Sequence, residues 1–224
     1  MSYRIEDQPC EVFAPWPRAQ LEVARLAREP PPAPWVLRTA GFLTEDLAEH
    51  ITDWFTSDAT APAGVVRASY RALERETAAL YGVIHRGLGV RVEYVHAQED
   101  PYASAAELCD ELGRHGSMKL RTIACDAPHP LLGGEEGGVV DRLRVVHDVF
   151  GHAALGLGFD VQAEYATWLQ CRTLFSAEAR PAAFCELVGA VTAYVITGEK
   201  PALRADLPPR ELIAACEPRL ALVA

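Results

Sequence analysis

Residues 141–155 read DRLRVVHDVFGHAAL. This stretch is a helical segment, and it places His147, Asp148 and His152 within six residues of one another. Imidazole is the commonest protein ligand for iron, zinc and copper, so two histidines beside an aspartate suggest a divalent-metal site. The spacing is awkward. On a regular α-helix, side chains five positions apart point about 140° away from each other. His147 and His152 therefore converge only near a helix end or in a distorted turn, and Gly151 would ease such a distortion. Asp148 and His152, four apart, share a face better. Asp148 is thus either a rival ligand or a group that orients an imidazole.

The next two helical segments, Asp160 to Phe175 and Pro181 to Thr197, each carry one carboxylate in apolar surroundings. Glu164 precedes Tyr165 and Trp168, and Glu186 lies between Phe184-Cys185 and Leu187-Val188. A buried, unpaired carboxylate is costly and must find a cation, a donor or a metal. Glu186 is expected to be a ligand, with an ion pair to Arg144 or Arg180 as the alternative. Glu164 is read as a fourth ligand, a proton carrier or a structural ion-pair partner. His129 either lines the site or structures the glycine-rich loop around it. Trp168 either walls a pocket or packs the core. Asp141 fits a helix N-cap.

Outward from this region, helices are expected at Arg18 to Arg28, Leu43 to Phe55 with Thr44 as N-cap, and Arg67 to Ile84. Val90 to Val95 alternates with period two and reads as a strand, as does Leu120 to Cys125. Between them, Ser104 and Glu107 form a capping box for a helix ending near Gly113 or Gly116. A last short helix is expected at Glu211 to Ala215. The fold class is α+β, mostly α: a helical core with a two- or three-stranded sheet. Residues 1–40 read as an irregular N-terminal arm and 41–224 as a single metal-binding domain.

Half of the 224 residues are hydrophobic and the formal net charge is -10. That balance favours a globule and disfavours a phosphate backbone as partner. No basic n-region followed by an apolar run opens the sequence, so a cytoplasmic location is expected. The apolar run Leu187 to Ile196 is about half a bilayer span, so no membrane insertion is expected. The six cysteines are scattered and form no C-x-x-C pair, and they are read as reduced. The proline-rich arm could wrap a second copy into a homodimer.

His147-Asp148-x-x-Gly151-His152 resembles the iron motif of the aromatic amino acid hydroxylases. That resemblance covers roughly residues 146–190. It implies Fe(II) held by His147, His152 and, by order and spacing, Glu186. No pterin-binding loop is found, so pterin does not transfer. A second resemblance spans roughly residues 65–190, through Tyr70, Glu76-Thr77, Pro101-Tyr102, His129-Pro130, the histidine motif, Glu164, Trp168 and Glu186. It points to a family found in actinobacteria and phage-encoded polyprotein segments that has no settled activity. It implies that Glu164 and Glu186 both belong to the site. The chain departs from that pattern at Ala163, where a glycine is expected, and at Val188 to Val191.

The leading expectation is a non-haem Fe(II) oxygenase or hydroxylase that uses O₂ on a small organic substrate, an amino acid or aromatic acid among the options. Glu164, Asp148 and His129 would serve catalysis. The alternatives are a zinc hydrolase with the same ligands, a dinuclear site using both glutamates, and a non-enzymatic metal-binding module.

Overall fold

The computed structural model describes residues 10–39 and 43–216. The expectation about a leader falls on residues 1–9, outside the described residues. The chain is α+β and mostly helical, with one two-stranded sheet among the described residues. In order the elements are α1 (Pro17–Leu26), α2 (Pro34–Thr39), α3 (Glu45–Thr56), α4 (Ala63–Gly82), β1 (Arg91–Val95), α5 (Ala105–His115), β2 (Ser117–Arg121), α6 (Val139–His147), α7 (Val161–Cys171), α8 (Arg180–Phe184), α9 (Ala190–Thr197) and α10 (Arg210–Cys216). No helix among the described residues is long and apolar enough to cross a membrane.

Local chemistry sets several boundaries where the sequence places them. Thr44 accepts from the Leu47 N–H and Ser104 from the Glu107 N–H, so both caps satisfy otherwise orphaned donors. Glu107 reaches back one residue further than a standard capping box, to the Ala103 N–H. Gly116 ends α5 in the left-handed region, at φ 57°. β1 and β2 pair in parallel, Arg91 opposite Ser117 through Val95 opposite Arg121, and α5 makes the connection.

β2 lies a few residues earlier than its expected span. After Arg121 the chain turns into a 3₁₀ segment, Ile123–Cys125. The cause is tertiary. The fully buried Asp141 carboxylate accepts from Thr122 Oγ1 at 2.6 Å, the Ile123 N–H at 2.8 Å and the Gly137 N–H at 3.0 Å. Asp141 is therefore not the N-cap of α6, a position taken by Gly138. Instead it bolts the loop after β2 to the first turn of α6. Asp141→Ala strands these buried donors and should lower stability by about 3 kcal/mol. A thermal melt should show a drop of roughly 6–12 °C.

The described part of the arm is packed onto the core. Phe13 and Trp16 donate their N–H groups to the Gly156 and Ala153 carbonyls at 3.0 and 2.7 Å. Trp16, Ala19, Val23 and Leu37 are buried. The centre of the molecule is α7, whose Trp168 is 1% exposed and meets Phe184 edge to face. Trp168 is thus a core residue rather than a pocket wall. α4 packs on α6 and α8, and α3 packs on α9.

Among the described residues, three helical runs contain a π-turn: Val83–Gly87 after α4, Asp148–Ala153 after α6 and Cys185–Gly189 between α8 and α9. Such turns insert one extra residue into a helical repeat and recur at functional sites. Two of the three carry residues singled out from the sequence.

Candidate metal centre

The π-turn after α6 resolves the spacing problem of the two histidines. The Ala154 N–H reaches back to the Val149 carbonyl, five residues earlier. In that geometry residues five apart stack on the same face instead of diverging. The rings of His147 and His152 stand 4.7 Å apart, centroid to centroid, and nearly perpendicular. Gly151 makes the turn possible against its neighbour. A Cβ there would lie 2.9 Å from Thr167 Cβ on α7.

α7 supplies the facing carboxylate. Glu164 places Oε2 3.4 Å from His147 Nε2 and Oε1 3.4 Å from His152 Nε2. Asp148 stands on the other side of His147, 3.8 Å from Nδ1. His147, Asp148 and His152 each offer a ligand atom within 4.8 Å of the others. The structure therefore gathers both histidines, Asp148 and Glu164.

The hydrogen bonds fix how each ring presents itself. His152 Nδ1 donates to the Leu157 carbonyl at 3.1 Å, because a carbonyl can only accept. Its Nε2 is buried without a hydrogen-bond partner and faces Glu164. A neutral His152 would therefore point a lone pair at a carboxylate, an arrangement that calls for a proton or a metal cation between them. The Thr167 hydroxyl donates to the Glu164 carbonyl at 2.7 Å, which leaves it to accept from His147 Nε2 at 2.8 Å.

Electrostatics tell the same story. Burial opposes a charged His152, but the Glu164 carboxylate outweighs it and raises the ring to about 8. Burial lowers His147 to about 4. Burial also raises Asp148 to about 7. It would raise Glu164 too, but the two imidazoles reverse the balance and hold that carboxyl below the usual range.

Glu186, on the third π-turn, is occupied differently. Its Oε1 accepts from Tyr70 Oη at 2.6 Å and lies 3.1 Å from His129 Nε2. His129 Nδ1 accepts from the Leu131 and Leu132 N–H groups, so its proton sits on Nε2 and is donated to Glu186. The alternative reading of Glu186, an ion pair with Arg144 or Arg180, is not what the described residues show: Arg144 donates to the Arg121 carbonyl and Arg180 pairs with Glu29. His129 thus does structure the loop, and it reaches the site through Glu186.

Glu186 nevertheless opens onto the same space as the histidine cluster. A cavity of about 410 Å³ has His147, Asp148, Glu164 and Glu186 in its lining. Arg144 and Lys119 add positive charge, and Leu187, Ala190 and Val191 add apolar surface. Phe159 meets the His152 ring edge to face and also borders the cavity. Its size and mixed lining suit a small organic molecule.

Tyr70 and Thr167 were not picked as site residues from the sequence. Tyr70 lies on the apolar face of α4, and the hints were its polar tip on an otherwise core-facing stripe and its place in the second resemblance. Thr167 offered no signal beyond lying three residues after Glu164. No protein-family model matches the chain, and no curated protein or solved structure matches it either. The likeness to the aromatic amino acid hydroxylases stands on the quoted residues alone.

Proposed function

We propose that His147, His152 and Glu164 hold one divalent metal, iron rather than zinc, and that the cavity beside them is the active site of an O₂-dependent oxygenase for a small organic substrate. The observation that carries the reading is the pair of imidazoles facing a single carboxylate, with the buried His152 Nε2 and His147 Nε2 each 3.4 Å from a different Glu164 oxygen. Two nitrogens and one oxygen on one side of an ion form the donor set of a mononuclear non-haem iron site with open positions. This set uses Glu164, on α7, where the family resemblance implied Glu186.

Bound iron would supply O₂ activation, which protein side chains lack. The chain's own residues do the rest. His147 gives up its proton and its bond to Thr167 when it becomes a ligand. The Leu157 carbonyl keeps His152 in the tautomer whose Nε2 faces Glu164. Asp148, 3.8 Å from His147 Nδ1, can orient that ring from the cavity wall. Leu187, Ala190 and Val191 offer apolar surface to the substrate and limit water.

Anaerobic titration of the metal-free protein with Fe(II) should saturate at one equivalent, and O₂ consumption should then require that iron. Zinc uptake with no iron-dependent O₂ consumption would favour a hydrolase built on the same ligands. Failure to take up any metal at low micromolar concentration would overturn the site itself.

A further inference from the structure

We propose that Cys125, His96 and Glu136 form a second chemical site, a surface thiol activated for exchange with small disulfides. The three residues come from separate segments: His96 follows β1, Cys125 ends the 3₁₀ turn after β2, and Glu136 lies in the loop before α6. The fold brings them into line. Cys125 Sγ is 3.7 Å from His96 Nδ1, and His96 Nε2 is 2.6 Å from Glu136 Oε2.

The order of these contacts matters. A carboxylate only accepts, so His96 Nε2 carries the ring proton and donates it to Glu136. That leaves Nδ1 as a lone pair facing the sulfur, and the thiol donates to it. A nucleophile, a base and a carboxylate that orients the base stand in sequence. The Arg121 guanidinium, bonded to Asp126, is close enough to Cys125 to interact with it electrostatically. The turn that carries Cys125 is anchored through the Ile123 N–H and Thr122 Oγ1 to Asp141, so the sulfur is presented from a fixed backbone.

Exposure separates Cys125 from the other cysteines. Cys109, Cys171, Cys185 and Cys216 are buried, and Cys10 is half-buried beside Asp160. Cys125 is exposed. In the reaction, His96 Nδ1 takes the thiol proton and the thiolate attacks one sulfur of a low-molecular-weight disulfide. The old S–S bond breaks, a mixed disulfide forms on Cys125, and the departing thiolate recovers the proton from His96. The small disulfide is the oxidant and is reduced to one thiol.

The test uses the full native chain and 4,4′-dithiodipyridine under pseudo-first-order conditions at pH 7, with peptide mapping of the modified protein. One thiol should react in a fast phase and map to Cys125. His96→Ala should slow that phase at least ~10-fold. Glu136→Gln should slow it about threefold, with an unchanged circular-dichroism spectrum for both variants. Both residues are exposed, so neither change threatens the core. Cys125→Ser should remove the fast phase and leave Fe(II) uptake as in the wild type. The proposal is overturned if the fast label maps to another cysteine. It is equally overturned if both the His96 and Glu136 variants react at the wild-type rate.

Discussion

His152→Ala is expected to lower Fe(II) affinity on the order of 100-fold or more and to weaken the metal-free fold by about 3 kcal/mol. The two effects have separate origins. The first follows from losing one of three donors. The second follows from leaving Glu164 facing only one imidazole: in the metal-free protein His152 is raised to about 8 by that carboxylate, so the pair is an ion pair at neutral pH. Removing one partner of a buried pair leaves the other uncompensated. Thermal melts separate the effects. Wild-type protein in Fe(II) at 100 times its Kd should gain about 2.7 kcal/mol by linkage, and the variant should gain at most about 0.4 kcal/mol at that concentration. A variant that melts lower without metal yet keeps the full Fe(II)-induced rise would remove His152 from the ligand set.

Gly151→Ala tests the turn rather than the ligands. Its added Cβ would sit 2.9 Å from Thr167 Cβ, 3.2 Å from Thr167 Cγ2 and 3.5 Å from Cys171 Sγ. None of these is the free end of a flexible side chain, so the π-turn and α7 must separate. Overpacking of this kind costs about 1–3 kcal/mol. The same displacement pulls His147 and His152 away from Glu164, so Fe(II) affinity should fall roughly tenfold although every donor remains. Equal stability and equal affinity in this variant would show that close contact between turn and helix is not what aligns the rings.

The legible parts of the fold were those decided within a few residues. Thr44 and Ser104 cap their helices by local hydrogen bonds, and Val92 to Val95 alternate along a strand that forms where expected. β2 was displaced because Asp141, about 20 residues downstream, captures Thr122 and Ile123 and ends the strand early. The site was half legible. His147 and His152 stood out by chemistry, but a 3.6-residue period sets them apart, and nothing in the periodicity announces a π-turn. Gly151 was the one local clue. The separate duties of Glu164 and Glu186 could not be read from order and spacing. They depend on which helix-borne carboxylate meets the imidazoles and which meets Tyr70 and His129, contacts that span 57 and 116 positions at Glu186.

The most direct test is a side-by-side anaerobic Fe(II) titration of Glu164→Gln and Glu186→Gln, with circular dichroism to confirm that both fold. The structure predicts that Glu164→Gln loses stoichiometric iron while Glu186→Gln still binds one equivalent. Full iron binding by Glu164→Gln together with its loss in Glu186→Gln would contradict the account.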